Sequence, residues 1–398
     1  MEKMLDVELG SPRDFKTTAA SSLTNVTDHK GDEAAVTTEP ARDAHVIPDG
    51  GLRAWATVGG CWIISMCTFG YVNTYGVYQA YYIETLLPSY SASAISWIGS
   101  LQTCLLFLAG LVAGRWFDAG YFQHMMVGGS ILLVGCIFGL SAAEPDAYWQ
   151  VFLAQAVGQG VGLGLLYLPS VAVVGHHFLK RRSIAMGIAA TGSSVGGIVF
   201  PILLNNVFQE RGFGWGVRAL GFFMLGALLL ANLLCSTNYH PHQRMMKPPS
   251  PIKLLRDPPY LFGVTSVCII GLGLYLVFFY VQLYAETQGI SETVAFYTLA
   301  MLNGASVFGR TVPNYLADKV GPITVLIPAS ALAGTIVFAL LGIRDVASLA
   351  VVCMLYGFFS GAYVSLLGPT FASMADDVSE IGSATHSPSP SQMLTDIY

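Results

Sequence analysis

Of 398 residues, 54% are hydrophobic and only 11% charged, where a soluble domain carries about 25% charged side chains. Composition therefore excludes a water-soluble globular chain and points to an all-α membrane protein. The net charge of −5 resides largely in the tails and gives no reason to expect nucleic-acid binding.

Residues 1–52 are polar, charge-mixed and poor in aromatics, which predicts a disordered cytoplasmic tail. They lack the basic-then-apolar order of a cleaved signal peptide. Asn25-Val26-Thr27 matches a glycosylation sequon, silent if this tail faces the cytoplasm. Ten apolar segments follow, at about 55–80, 94–114, 122–143, 148–171, 183–206, 216–236, 261–285, 293–313, 322–343 and 347–372. Each approaches the ~20 residues that a helix needs to cross a bilayer, and open strands cannot cross lipid with their backbone groups unsatisfied. The expected domains are a six-helix bundle over 53–236, a Pro-rich basic linker over 237–260, an incomplete bundle of four helices over 261–373, and a polar tail over 374–398.

Basic residues set the orientation. The even-numbered loops hold Arg115, Lys180, Arg181, Arg182, Arg244, Lys247, Lys253, Arg256 and Lys319, and the odd-numbered loops hold Arg211, Arg218 and Arg344. The even loops are thus expected in the cytoplasm, with both termini beside them, and the plasma membrane is the expected location.

Landmarks recur between the halves. The turn at Asp118 and Gly120 returns as Asp318 and Gly321, and the Gly-rich helix ending at Pro169 returns as one ending at Pro369. Such duplication suggests a transporter built of two matching halves. Asp at these turns can cap a helix or pair with a basic residue, so Asp118, Arg115, Arg181, Asp318 and Lys319 are candidate gating groups. The second copy is shorter: the Gly-rich fifth helix through Pro201 has no counterpart, and the chain reads Ser387-Pro388-Ser389-Pro390-Ser391 instead. The expectation is about ten helices, with the last two of a twelve-helix layout missing.

Arg310 is the one basic residue placed within a span, where a charge costs at least ~2.5–3.5 kcal/mol on insertion scales. It suits either contact with an anionic group or snorkelling and a pair with Asp318. Asn73, Gln79, Gln102, Gln155, Gln159, Tyr275, Tyr280, Gln282 and Asn303 also lie at membrane depth. Of these, Asn73, Gln155, Gln159, Tyr280 and Asn303 join Arg310 as candidate solute contacts. Gln155 and Gln159, one turn apart, share a helix face. His176 and His177 adjoin a basic loop, where a proton role is conceivable but boundary chemistry is commoner.

No enzyme is expected. Gly192-Ser193-Ser194-Val195-Gly196 imitates a nucleophile elbow, but inside an apolar helix rather than at a strand–turn–helix corner. The seven cysteines form no metal-like spacing, no phosphate loop occurs, and no cofactor is implied.

The chain resembles the major facilitator superfamily, within it the fungal monocarboxylate porter-like branch, over roughly 47–385. The resemblance rests on Pro48-Asp49-Gly50-Gly51 with Trp55, on Phe117-Asp118-Ala119-Gly120-Tyr121, and on Arg181-Arg182-Ser183-Ile184-Ala185-Met186-Gly187. It rests also on Asn303-Gly304-Ala305-Ser306-Val307-Phe308-Gly309-Arg310 with Pro313 and Ala317-Asp318-Lys319. It implies two six-helix bundles, alternating access, and a central site lined by segments 1, 4, 7 and 10. Animal members couple a proton to a monocarboxylate through a Lys and an Asp–Arg pair. Here Arg310 matches the Arg, while Asn73 and Ser306 stand at the other two positions. The expected function is secondary active transport of a small organic solute, an organic anion or monocarboxylate, with a coupled proton. The alternatives are an exporter of a secondary metabolite on the same fold or a truncated, non-transporting membrane protein.

Overall fold

The computed structural model describes residues 49–237 and 258–383, and every regular element among them is helical. In chain order these are α1 (Leu52–Leu86), α2 (Ala92–Asp118), α3 (Phe122–Leu140), α4 (Tyr148–Val174) and α5 (Arg182–Arg211). Then come α6 (Phe213–Leu234), α7 (Pro258–Thr287), α8 (Glu292–Val320), α9 (Pro322–Gly342) and α10 (Val346–Ser383). The ten helices lie where the ten apolar segments lie. Eight of them are long and apolar enough to cross a membrane. α7 contributes a shorter apolar stretch, Tyr260–Gly271. α8 is 29 residues long, about 43 Å at ~1.5 Å per residue, but Asn303, Ser306, Arg310 and Asn314 dilute its apolar character. Those four side chains are buried among the helices.

Several helices outrun their apolar segments: α1 continues to Leu86, α5 to Arg211 and α8 to Val320. Hydropathy marks the lipid core, whereas the backbone ladder persists into the interface until a turn residue ends it. Gly120 and Gly321 are such residues, with φ of 86° and 91°, a left-handed geometry that costs glycine nothing. Both halves of the proposed repeat therefore end the corresponding helix in the same way. The sequon at Asn25, most of the Pro-rich linker and the Ser387–Ser391 run lie outside the described residues.

One continuous buried core runs through α1–α6, from Ala54 to Cys235. A second core joins α7, α8, α9 and α10, including Val277, Leu302, Cys353 and Tyr356. Glycine is what lets the helices approach this closely. A Cβ on Gly192 would strike the Trp62 carbonyl of α1, and one on Gly309 would strike the Phe358 carbonyl of α10.

α1 and α4 are not regular. α1 widens to π-helix at Met66–Gly70 and Tyr82–Leu86 and loosens into a turn at Asn73–Thr74. α4 is π-helical over Phe152–Gln159. Such bulges are frequent at functional sites.

Candidate functional site: a seam and a cavity between helices 5 and 8

α5 and α8 run antiparallel, and their contact changes character along its length. At the end nearest the basic loops they form a seam. Asp318 accepts hydrogen bonds from the Ser183 and Ile184 amides at 2.8 and 3.0 Å. A carboxylate thus caps the start of α5, where the free amides and the helix dipole favour negative charge. Further in, the Arg310 guanidinium donates to the Ala190 carbonyl at 2.8 Å, to Ser193 Oγ at 2.6 Å and to Ser306 Oγ at 3.0 Å. Ser194 donates to the same Ser306 oxygen at 3.2 Å. Asn314 donates to Ser365 of α10 at 2.6 Å.

The same face carries a second carboxylate latch. Asp49 accepts from the Leu179 and Lys180 amides at 2.6 and 2.7 Å, which ties the start of α1 to the α4–α5 loop. Thr57 and His177 bond the Ser236 residue at the end of α6, so this loop and the start of the linker share one face. Asp49 thus holds the α4–α5 loop while Asp318 holds the start of α5 beside it, a physical task for Asp49 that sequence reading left unassigned.

Toward the opposite face the two helices part. A cavity of about 520 Å³ opens between α1 and α5 on one side and α7 and α8 on the other. Its floor lies at Gly197, which Asn303 closely approaches. From α1 it takes Asn73, Tyr81 and Glu84, and from α5 Asn205, Phe208 and Gln209. α7 contributes Gln282 and α8 contributes Phe296. Behind this lining stands an aromatic cluster: Tyr81 stacks on Phe213 at 5.2 Å and meets Phe208 at 5.0 Å.

A fully buried polar network lies deeper within α1, α2 and α4. Tyr71 donates to Gln159 at 2.8 Å, Tyr82 to Gln155, and Gln102 to Gln159 at 3.3 Å. The Gln159 amide nitrogen has no hydrogen-bond partner there. The π-helical stretch of α4 carries both glutamines, so they share a side through a wider helix than the ordinary four-residue spacing assumed.

The structure scatters the six candidate solute contacts. Asn73 lines the cavity. Asn303 borders its floor and bonds the Leu299 carbonyl. Arg310 belongs to the seam, and Gln155 and Gln159 to the buried network. Tyr280 is 59% exposed and faces a separate apolar groove with Val277 and Phe338. Among the candidate gating groups, Asp318 caps α5 while Lys319 lies 4.4 Å over the Tyr315 ring. Arg115, Asp118 and Arg181 are exposed at the same face. His176 stacks on Phe117 at 5.1 Å. Burial, with His177 and Arg182 nearby, holds its pKa down at about 4, so this ring is neutral at physiological pH.

Sequence reading passed over Tyr81, Glu84, Asn205, Phe208, Gln209 and Phe296. Asn205 and Gln209, one turn apart and so on one face of α5, were a usable signal.

The Major Facilitator Superfamily profile matches residues 61–386. The chain is 38% identical to the Aspyridones efflux protein apdF of Emericella nidulans, over 90% of this chain and 73% of that protein. It is 37% identical to the MFS-type transporter dbaD of the same organism, over 84% and 74% of the two chains. The Agnestins efflux protein AgnL12 of Paecilomyces divaricatus is 36% identical, over 80% and 73%.

Proposed function

The chain belongs to the Major Facilitator Superfamily, and from that premise we propose that it exports a secondary metabolite by secondary active transport. It is a membrane transporter of small organic solutes and not an enzyme. The observation that carries the transport reading is the cavity between α1/α5 and α7/α8, closed at the basic end by Asp318 and Arg310 and open at the other end. A solute path that is closed on one side and accessible on the other is what alternating access requires. Relatives named as efflux proteins support the direction.

In this reading the basic face is cytoplasmic, the termini lie beside it, and the membrane is the plasma membrane. The first six helices and the later four act as two bodies that rock about the cavity. Coupling to a proton would draw on Glu84, the carboxyl group among the lining residues. Placement in the monocarboxylate porter-like branch rests on the quoted motifs alone. Monocarboxylate uptake has weaker support, because Arg310, the matching group, is engaged in the seam rather than lining the cavity.

The test is retention of aspyridone or an agnestin in loaded cells expressing the full chain. Retention should fall several-fold below that of cells with an empty vector. Equal retention of both compounds would reject export of this class.

A further inference from the structure

We infer that the solute is an uncharged aromatic compound bearing hydrogen-bonding oxygens, held by the rings and side-chain amides that line the cavity together. This deepens the export reading and rests on it.

Three observations lead there. First, no Lys, Arg or His lines the cavity among the described residues, and its one carboxyl group is Glu84. A carboxylate entering such a space would lose its hydration without gaining a cation, and would meet Glu84 as a like charge. Arg211 follows Gln209 by two residues, which turns it to a different side of α5.

Second, side-chain amides make up most of the polar lining. Asn205, Gln209 and Gln282 carry both donors and acceptors, so they can read hydroxyl and carbonyl oxygens alike without requiring charge.

Third, the apolar lining is aromatic and braced. Phe208 and Tyr81 pack on each other at 5.0 Å, and Phe213 supports both, at 5.3 Å from Phe208 and 5.2 Å from Tyr81. Phe296 approaches from α8. Rings fixed in this way offer faces and edges to a flat guest with little ordering cost. Gly76, Ala80 and Ala300 leave the intervening surface flat enough to admit one. A cavity of about 520 Å³ also belongs with drug-sized ligands rather than with a three-carbon acid.

The experiment uses the full chain in lipid nanodiscs and two probes that share a two-ring skeleton. Dihydroxybiphenyl is uncharged at pH 6, and biphenylcarboxylate is an anion. Equilibrium binding should favour dihydroxybiphenyl by about tenfold or more. Phe208→Ala and Asn205→Leu should each weaken it at least about fivefold, while Ile131→Ala, on an exposed apolar position of α3, should leave it unchanged. Circular dichroism and elution profile confirm that each variant is folded. Preference for biphenylcarboxylate, or binding indifferent to Phe208→Ala and Asn205→Leu in folded protein, overturns the inference. Absence of binding of both probes overturns it equally. None of these outcomes touches the retention assay for export, so the two readings fail separately.

Discussion

The two ends of the α5–α8 pair contrast in what holds them. Near the basic loops, a carboxylate cap and a guanidinium with two neutral acceptors on α5 bind the helices. At the other end, amides and aromatic rings face an open space. The closed end is held by a few directional bonds, which a modest free energy can break and remake. The open end offers weakly committed groups that a solute can engage. A carrier needs this asymmetry, because a seam sealed by broad apolar packing could not reopen on the timescale of transport.

The largest effect is expected from Gly309→Leu. Its side chain would be driven into the Phe358 backbone of α10, and overpacking of this kind costs about 1–3 kcal/mol or more. The variant should be lost from the folded fraction in size-exclusion profiles. Normal abundance would show that α8 and α10 are less tightly joined than described.

Arg310→Lys comes next. Lysine cannot reproduce the forked donor set, and charged hydrogen bonds contribute about 1.5–3 kcal/mol each. Transport should fall by about tenfold or more while membrane abundance stays normal. Full activity would place the seam's strength elsewhere.

Asp318→Ala removes the cap on α5, worth about 0.5–2 kcal/mol. In that background a cysteine placed at Ala190 should react faster with a membrane-impermeant thiol reagent added at the basic face. An unchanged rate would separate the cap from the gate.

Tyr78→Phe deletes a fully buried hydroxyl beside Tyr71. The melting temperature should fall only slightly, since one such hydrogen bond contributes about 0.5–1.5 kcal/mol net. A rise would show that the hydroxyl is buried without a satisfied bond.

The last expected effect is a pH dependence. His176 in the folded chain takes its proton at about 4, against 6.5 for the free side chain. The unfolded chain therefore binds a proton first as pH drops. Stability from this residue is complete above 6.5 and declines as pH falls toward about 4. His176→Phe should flatten that part of the melting profile, keeping the stack on Phe117. An unaltered profile would assign the slope to other groups.

Much of this was legible beforehand. The apolar segments sit where the helices are, because burying backbone in lipid demands helices of a minimum length. The paired Asp–Gly turns were readable too, since glycine enters the left-handed region at the least cost. The candidate site was less legible. Arg310 drew attention by its charge, yet its bonds run across to α5. The lining residues Asn205, Phe208 and Glu84 look like ordinary interface residues until two distant helices are laid side by side.

Composition and local pattern, then, determined the class of molecule, the helices and the turn chemistry, since each follows from the solvent and from neighbours within a few residues. Which polar group seals a seam and which faces a cavity was decided only by the packing of α1, α5, α7 and α8. The contacts that decide it join residues more than a hundred positions apart, such as Ser193 with Arg310, and no local pattern encodes that separation.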